Sequence, residues 1–432
     1  MKIQVYISNS RIQYNDQGIL CAGAQNVLSD TVLNRVVINN NRGTGIRLIW
    51  SYTQSIFIGN CQILNNAGDG VYCGHGGWPP FLNCLIKGNR RGIQTEYESQ
   101  ATFTGCTIEE NGSTDMDGGG MLVYGNTWVN NCIFRNNTAR RGGGIYDNAT
   151  AWEKLYLNNV LITGNSATEC GGGIYLDQQW GSSYKNITCV NNSTGITGGG
   201  IYCPGFTWQW DTARVVNSII RNNFPNQVFG TVNNIAVSFT NIEGGHSGPG
   251  NIDEDPLFLS PENNDFHLSW VNFPEADYTK SLCIDTGNPG SPYDPDGTIA
   301  DMGYSFFNQN NQVNYSLDLH VFLQGPFQTD QMTTQLNIAG ILPFNQPYAN
   351  SPWNHPGNEI VPGIPASDIV DWIFIEIREP GFVYDNHPYS ALSRQTVFVK
   401  NDGSVTGLAG NSLPTFYTNV TDSMYVVVYH RN

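Results

Sequence analysis

An apolar residue followed three positions later by asparagine recurs along the first half of the chain: Ile12/Asn15, Ile38/Asn41, Ile63/Asn66, Ile86/Asn89 and Ile108/Asn111. It continues as Phe134/Asn137, Ile162/Asn165, Cys189/Asn192 and Ile220/Asn223, with Asn-to-Asn intervals of 26, 25, 23, 22, 26, 28, 27 and 31 residues. Each unit carries a second mark, Gly before an apolar residue, as in Gly45-Ile46, Gly70-Val71, Gly92-Ile93, Gly144-Ile145, Gly173-Ile174 and Gly200-Ile201. Short alternating stretches at such a period, without a helical pattern, predict a parallel β-solenoid of about nine to ten coils. The Asn falls at a turn, where its side chain bonds backbone groups and its equivalents above and below while tolerating left-handed geometry. Leucine-rich repeats share the period but need Leu at fixed positions, and this chain is poor in Leu.

The cysteines keep the same register. Cys61, Cys84, Cys106 and Cys132 each lie five residues before their coil's Asn, in a slot that Val36, Val160 and Ile187 hold elsewhere. A position that takes Cys, Val or Ile is an inward-facing small hydrophobe. Ten cysteines would also suit a disulfide framework; the register favours buried thiols, and no CxxC pair suggests zinc.

The repeat ends near Gly303, and the texture changes. Residues 306–316 read as a polar linker, and longer strands follow at Leu317–Leu323, Ile369–Arg378, Thr396–Lys400 and Met424–His430, separated by Pro- and Gly-rich turns. That pattern predicts a small antiparallel β-sandwich over 317–432. The whole is therefore all-β: a right-handed parallel β-helix over 1–305, closed by 250–305, then the sandwich.

Composition narrows the function classes. Of 432 residues only 13% are charged while Gly accounts for 48, and the net charge is −16. That balance opposes general affinity for nucleic acid or anionic membrane, and no apolar run approaches the roughly 18 residues of a membrane span. The chain opens on strand-like Met1-Lys2-Ile3-Gln4, which reads as a piece of a longer secreted protein.

Gly-Gly-Gly-Ile-Tyr at 142–146, 171–175 and 198–202, with Phe134-Arg-Asn-Asn137 before it, resembles the GGAI and FxxN repeats of chlamydial polymorphic outer-membrane proteins and, more broadly, bacterial right-handed parallel β-helix proteins. Gly250-Asn-Ile-Asp-Glu-Asp-Pro-Leu-Phe258, Cys283-Ile-Asp-Thr-Gly287 and Asp294-Pro-Asp-Gly-Thr298 are similar to the closing segment of secreted bacterial β-helices. Val370–Arg378 with Val426–Asn432 looks like a module of Bacteroidota proteins exported by type IX secretion. These resemblances imply architecture and an extracellular or outer-surface location, and no particular reaction, because the fold hosts many.

Three features bear on chemistry. An aromatic follows the Gly–apolar strand in most coils (Trp50, Trp78, Tyr97, Trp128, Trp152, Trp180 and Trp208), so one file of rings is expected along the solenoid. Such a file is either an aromatic ladder covering the core or a glycan-binding edge formed by Trp128, Trp152, Trp180 and Trp208 with Arg140. Secondly, the stretch from Asn to the next strand lengthens from 4 or 5 residues to 8–10 from Asn111 onward, and the scarce charges Asp115, Asp117, Arg140, Arg141 and Glu169 collect in that loop wall, with Arg90 and Arg91 one coil earlier. Asp117, Arg141 and Glu169 would be the catalytic groups of a polysaccharide lyase or glycoside hydrolase, if they converge in a groove without pairing; mutual pairing would make them a salt-bridge ladder. Thirdly, Asp285, Asp294, Asp296 and Asp301 offer oxygen ligands for Ca²⁺ around a Gly turn, although Asp-Pro-Asp-Gly also makes ordinary turns.

The expected role is a secreted or cell-surface structural or adhesive module contacting an extracellular glycan or surface matrix through a coil edge. A polysaccharide-cleaving enzyme is the alternative, and end-to-end self-association into fibres a second.

Overall fold

The computed structural model describes residues 3–22, 29–49, 56–76, 79–149, 152–177, 181–204, 212–230, 234–271, 273–274, 276–309, 313–350, 352–353, 355, 359–378, 391–418 and 424–431. Two compact units divide the chain, one of residues 1–258, 266–269 and 280–307, the other of 259–265, 270–279 and 308–432.

The first unit is a parallel β-helix. Its first strands, from Ile3–Ser8 through Ser29–Asn34, Ile56–Gly59 and onward to Ile235–Ile242, pair in parallel with one another, coil upon coil. Third strands, from Ile19–Ala22 to Val228–Phe229, form a second parallel stack. Short second strands such as Val37–Asn39, Gln62–Leu64 and Leu85–Lys87 lie between them. Because side chains alternate along a strand, an in-register parallel stack puts one residue class inside. Ile46 and Leu48 are fully buried and Arg47 between them is not. One continuous core results, running from Leu33 to Ile242.

The asparagine repeat is a hydrogen-bonded ladder. Asn41, Asn66, Asn89, Asn111, Asn137, Asn165 and Asn192 each send a backbone N–H and a side-chain Nδ2 to Oδ1 of the next Asn, at 2.9–3.1 Å. Nδ2 also donates to the carbonyl of the apolar residue one coil back, such as Ile38 for Asn66 and Ile108 for Asn137. That carbonyl belongs to the residue three before the previous Asn, which is the physical origin of the apolar-x-x-Asn spacing. At the far end Gln227 Oε1 takes both bonds from Asn223.

The left-handed residues are not the ladder asparagines, as the sequence suggested, but their predecessors: Asn40, Asn65, Gly88, Glu110, Asn136, Gly164, Asn191 and Asn222. A second left-handed position lies five residues earlier, at Arg35, Asn60, Asn83, Gly105, Asn131, Asn159, Asn186 and Asn217. Two such bends set off each second strand and turn the chain around the core. The Cys slot follows the first bend. Cys61, Cys84, Cys106 and Cys132 are buried and superposed, each carbonyl accepting from the next coil's amide, and all ten cysteines are free thiols.

Residues 280–307 fold back along the outside of the coils. Gly303 N–H donates to the Asn217 carbonyl and Tyr304 N–H to Thr188 Oγ1, while Phe266 packs on Leu161 and Val190.

In the second unit a four-stranded antiparallel sheet has the order Val405–Thr406, Ala391–Lys400, Ile369–Arg378, Tyr425–Tyr429, beside two-stranded ribbons Val313–Ser316 with Thr415–Thr418 and Phe327–Gln328 with Gln331–Met332. The central strand is buried on both faces: Ile373, Ile375 and Ile377 face one cluster, Trp372 and Phe374 another. Irregular backbone carrying Leu342, Tyr348 and Val361 covers the aromatic face. The expected strand Leu317–Leu323 is displaced to Val313–Ser316, inside the expected linker; Leu317, Leu319, Val321 and Leu323 still alternate inward but lack a continuous ladder.

Candidate functional site

The long stretches after the ladder asparagines are not plain loops. Thr138–Arg141, Ser166–Cys170 and Ser193–Thr194 pair as a three-stranded parallel sheet, an extra wall on the coils. The Gly triplets join this wall to the third strands. Gly142 sits at φ 64 and Gly171 at φ 70, left-handed bends that L side chains resist. A Cβ on Gly144 would lie 2.6 Å from the Gly173 carbonyl, so the third glycine permits the backbones to stack.

After each triplet the third strand runs in, out, in. Ile145 and Asp147 point inward and Tyr146 outward. Register then stacks the outward residues Leu122, Tyr146, Tyr175, Tyr202 and Phe229. Ring centroids are 4.8 Å apart for Tyr146–Tyr175, 5.0 Å for Tyr175–Tyr202 and 5.2 Å for Tyr202–Phe229. This is a file of four stacked rings, at a place the sequence reading did not assign. Its signal was present in the repeated Gly-Gly-Gly-Ile-Tyr. Tyr146 and Tyr175 are buried, whereas Phe229 is 43% exposed. Ring faces inside the file are spent on one another, so a sugar meets edges except at Phe229.

The expected catalytic charges lie against this file. Asp117 accepts from Arg140 Nε at 3.0 Å and Nη2 at 2.8 Å, and from Arg141 Nε at 3.2 Å and Nη2 at 2.6 Å. Arg141 also lies 5.2 Å over the Tyr146 and Tyr175 rings. Burial would raise the Asp117 carboxyl, but the hydrogen bonds from the two guanidinium groups outweigh it and hold it below the usual range. Arg141 is pushed further up by the same bonds. Glu169 is half-buried on the neighbouring wall strand, where its field acts on Arg140. Arg90 reaches Asp115 at 3.3 Å and Arg91 reaches Asp69 at 3.2 Å. The Tyr146 phenol donates to Asp177 at 2.7 Å, and burial and that carboxylate both push it up. Asp117 and Arg141 are thus mutually paired, against the arrangement expected of a catalytic groove. Within this cluster Asp117 is held ionised, Arg141 is a permanent cation and the Tyr146 phenol is pushed upward, while Glu169 lies outside the clamp.

The other expected residues are dispersed. Trp128 belongs to strand Asn126–Asn130 and stacks on Tyr156 at 5.5 Å, whereas Trp152, 81% exposed, and Tyr97 sit in turns before the next first strand. They share no file because the turn after the third strand varies in length, from Val123 to Asn126 in one coil and Asp147 to Leu155 in the next. Trp50, Trp78, Trp180 and Trp208 lie outside the described residues.

The acidic turn is internally bonded. Asp301 Oδ1 accepts from Asp285 N–H at 2.7 Å and Oδ2 from Phe307 N–H at 2.6 Å; Asp294 Oδ2 accepts from Asp301 N–H at 2.8 Å. Asp296 Oδ1 takes the Thr298 hydroxyl at 2.7 Å, and Lys280 meets Asp285 at 2.9 Å. Burial pushes Asp301 up to about 8 and Asp294 to about 6. Among the described residues no three His, Cys, Asp or Glu side chains converge to hold a metal ion. A further acid, Asp147, is wholly inside the helix, where the Tyr184 hydroxyl donates to it at 2.6 Å; burial raises both groups.

A family model described as a right handed beta helix region matches residues 3–159, and one for the Chlamydia polymorphic membrane protein repeat matches 159–177. Together with the parallel stacks, these matches make the first unit a right-handed β-helix. The crystal structure of pectate lyase Pel9A overlaps at TM-score 0.49 and 14% identity, covering 70% of this chain and 80% of that one, a likeness too slight to carry an argument. No curated protein matches the chain.

Proposed function

We propose that this chain is a non-catalytic structural and adhesive β-helix module of the cell exterior that contacts glycans through its coils. The observation that carries this reading is the double guanidinium clamp on Asp117. It ties up Asp117 and Arg141, two of the three charges that a cleaving site on this wall would use. An exterior location accords with the repeat match at 159–177, whose family is one of membrane proteins. No helix among the described residues is long and apolar enough to cross a membrane.

The test is a panel of neutral and acidic polysaccharides scored for retention of the intact chain and for new reducing or unsaturated ends. Retention without product is expected. Product that disappears in Arg141→Ala would replace the module with an enzyme, and retention by no polysaccharide would remove the glycan from the reading.

A further inference from the structure

The four-stranded sheet of the second unit ends on one side in the two-residue strand Val405–Thr406 and on the other in Tyr425–Tyr429, a Tyr-Val-Val-Val-Tyr run without charge, proline or glycine. Sheet edges invite pairing and are commonly blunted by shortness, charge or proline. The first edge is short; the second carries none of these devices. Register tells which of its backbone groups face outward. Trp372, in the central strand Ile369–Arg378, sends its N–H to the Asp371 carboxylate at 2.8 Å and takes the Tyr348 hydroxyl on its carbonyl at 2.9 Å, so both groups turn away from Phe398 opposite it. Thr396, opposite Phe374, likewise gives its N–H to the Glu359 carboxylate at 3.0 Å. Phe374, Glu376 and Arg378 share the parity of Trp372 and direct their amide groups at Tyr429, Val427 and Tyr425. Val426 and Val428 are one step out of phase. Their N–H and C=O groups therefore point out of the sheet, where no further strand lies among the described residues. Their side chains continue the face of Ile377 and Ile375, and Val426 is exposed.

We infer that two copies of this chain associate by antiparallel pairing of this edge about a two-fold axis at Val427, which joins their sheets into one continuous sheet. The occupant is a second copy because the strand reads the same in both directions. A two-fold interface must match itself. Pairing about Val427 sets Tyr425 opposite Tyr429, Val426 opposite Val428 and Val427 opposite itself, so each side chain meets one of its own kind. The outward parity fits the same axis. Val426 and Val428 exchange N–H···O bonds with their counterparts on either side of a non-hydrogen-bonded Val427 pair, and their side chains carry the Ile375–Ile377 face across the junction. Each copy bears a net charge of −16, so the copies repel at long range, but the strand itself is uncharged. A strand of 5 residues a side covers less than the ~800 Å² per partner of a standard interface. The association is therefore weak, and it strengthens as salt screens the repulsion. It is independent of the glycan reading.

The experiment is sedimentation velocity of the full chain over a wide concentration range at low and raised ionic strength. A monomer–dimer equilibrium is expected, stronger at raised salt and going no further than the dimer. Val426→Pro removes an outward N–H and leaves the bonds to Ile369–Arg378 in place, so it should weaken dimerisation about tenfold with the β-sheet spectrum unchanged. Val426→Lys keeps that N–H but sets a cation against Val428 of the second copy, and should weaken dimerisation at least as much. Val427→Cys, oxidised with copper phenanthroline, should cross-link to itself far more than Val426→Cys or the parent with its ten cysteines, because residue 427 alone faces its own counterpart. Monomer at every concentration would overturn the proposal and leave the edge to a strand of another protein. Dimers undiminished in both Val426 variants would place the interface elsewhere, and growth beyond the dimer would contradict the closed pair. Equal cross-linking at residues 426 and 427 would overturn the two-fold register.

Discussion

Replacing Asn137 with alanine tests the ladder at a fully buried rung. Asn137 is fully buried, and its side chain makes four hydrogen bonds: it donates to the Ile108 carbonyl at 2.9 Å and Asn165 Oδ1 at 2.9 Å, and accepts from Asn111 N–H at 3.0 Å and Nδ2 at 3.1 Å. Alanine keeps the backbone bond from residue 137 to Asn165, so Asn165 Oδ1 stays satisfied. Asn111 Nδ2 likewise retains its 2.8 Å bond to the Ile86 carbonyl. What is stranded is the Asn111 N–H, since the Ile108 carbonyl lies in strand Thr107–Glu109 and keeps its place in the ladder with Ile133–Arg135. One buried backbone group losing its partner costs about 1–3 kcal/mol. The matched control is Asn15→Ala. Asn15 is exposed and its side chain makes one long bond of 3.3 Å to Asn41, which water replaces, so the expected cost is under about 1 kcal/mol. In a stacked array the damage enters as a local coil–coil interface term, so hydrogen-exchange protection of the strands from Thr107 to Asp147 reports it more directly than a global midpoint. Protection should fall sharply in Asn137→Ala and stay near that of the parent in Asn15→Ala. Asn137→Asp should lose as much at neutral pH, since it sets an anionic acceptor against two others, and recover part of it in acid when the carboxyl can donate. Equal effects at the two rungs would refute the reasoning that burial makes the inner rungs of the ladder costly to break.

Two further outcomes follow from the buried groups. Asp301 and Asp294 titrate at about 8 and about 6 in the folded chain, against ~3.9 when unfolded. Raised folded values mean that their stabilisation is complete below about pH 4 and is lost as pH rises through 6 and then 8. The melting temperature of the β-helix should therefore decline over that window, and Asp301→Asn should flatten its upper part; an unchanged slope would show that neither acid is so perturbed. Native thiol titration should modify half-buried Cys21 and Cys170 first and leave the eight buried cysteines unreactive until unfolding, while Cys84→Val, which copies Val36 and Val160 in the same slot, should cost less than about 1.5 kcal/mol. Rapid labelling of all ten would contradict the superposed thiol column.

How far the site could be read from the chain depends on which positions register controls. Asn15 through Asn223 announced the ladder because a buried amide that must bond its own kind above and below leaves no substitute. Cys61, Cys84, Cys106 and Cys132 announced an inward column because Val and Ile shared it. The expectation for the tryptophans failed for the converse reason: Trp128 and Trp152 share an offset from the Gly–apolar mark, but the turn between third and first strands is free to change length, and one landed in a strand and the other in a turn. Tyr146, Tyr175 and Tyr202 escaped notice as a file although their motif was identified, since only stacked backbones show that the residue after Ile faces outward.

By itself the sequence determined the coil, its period, its inner columns and the site of the ladder, because short-range bends and like-on-like stacking recur in every unit and need no distant partner. The fate of the charges was decided by the tertiary structure alone. Asp117, Arg140 and Arg141 are 23 and 24 residues apart in the chain, and whether they oppose one another across an open groove or close on one another depends on how adjacent coils overlap outside the core, where no repeat constrains the side chains.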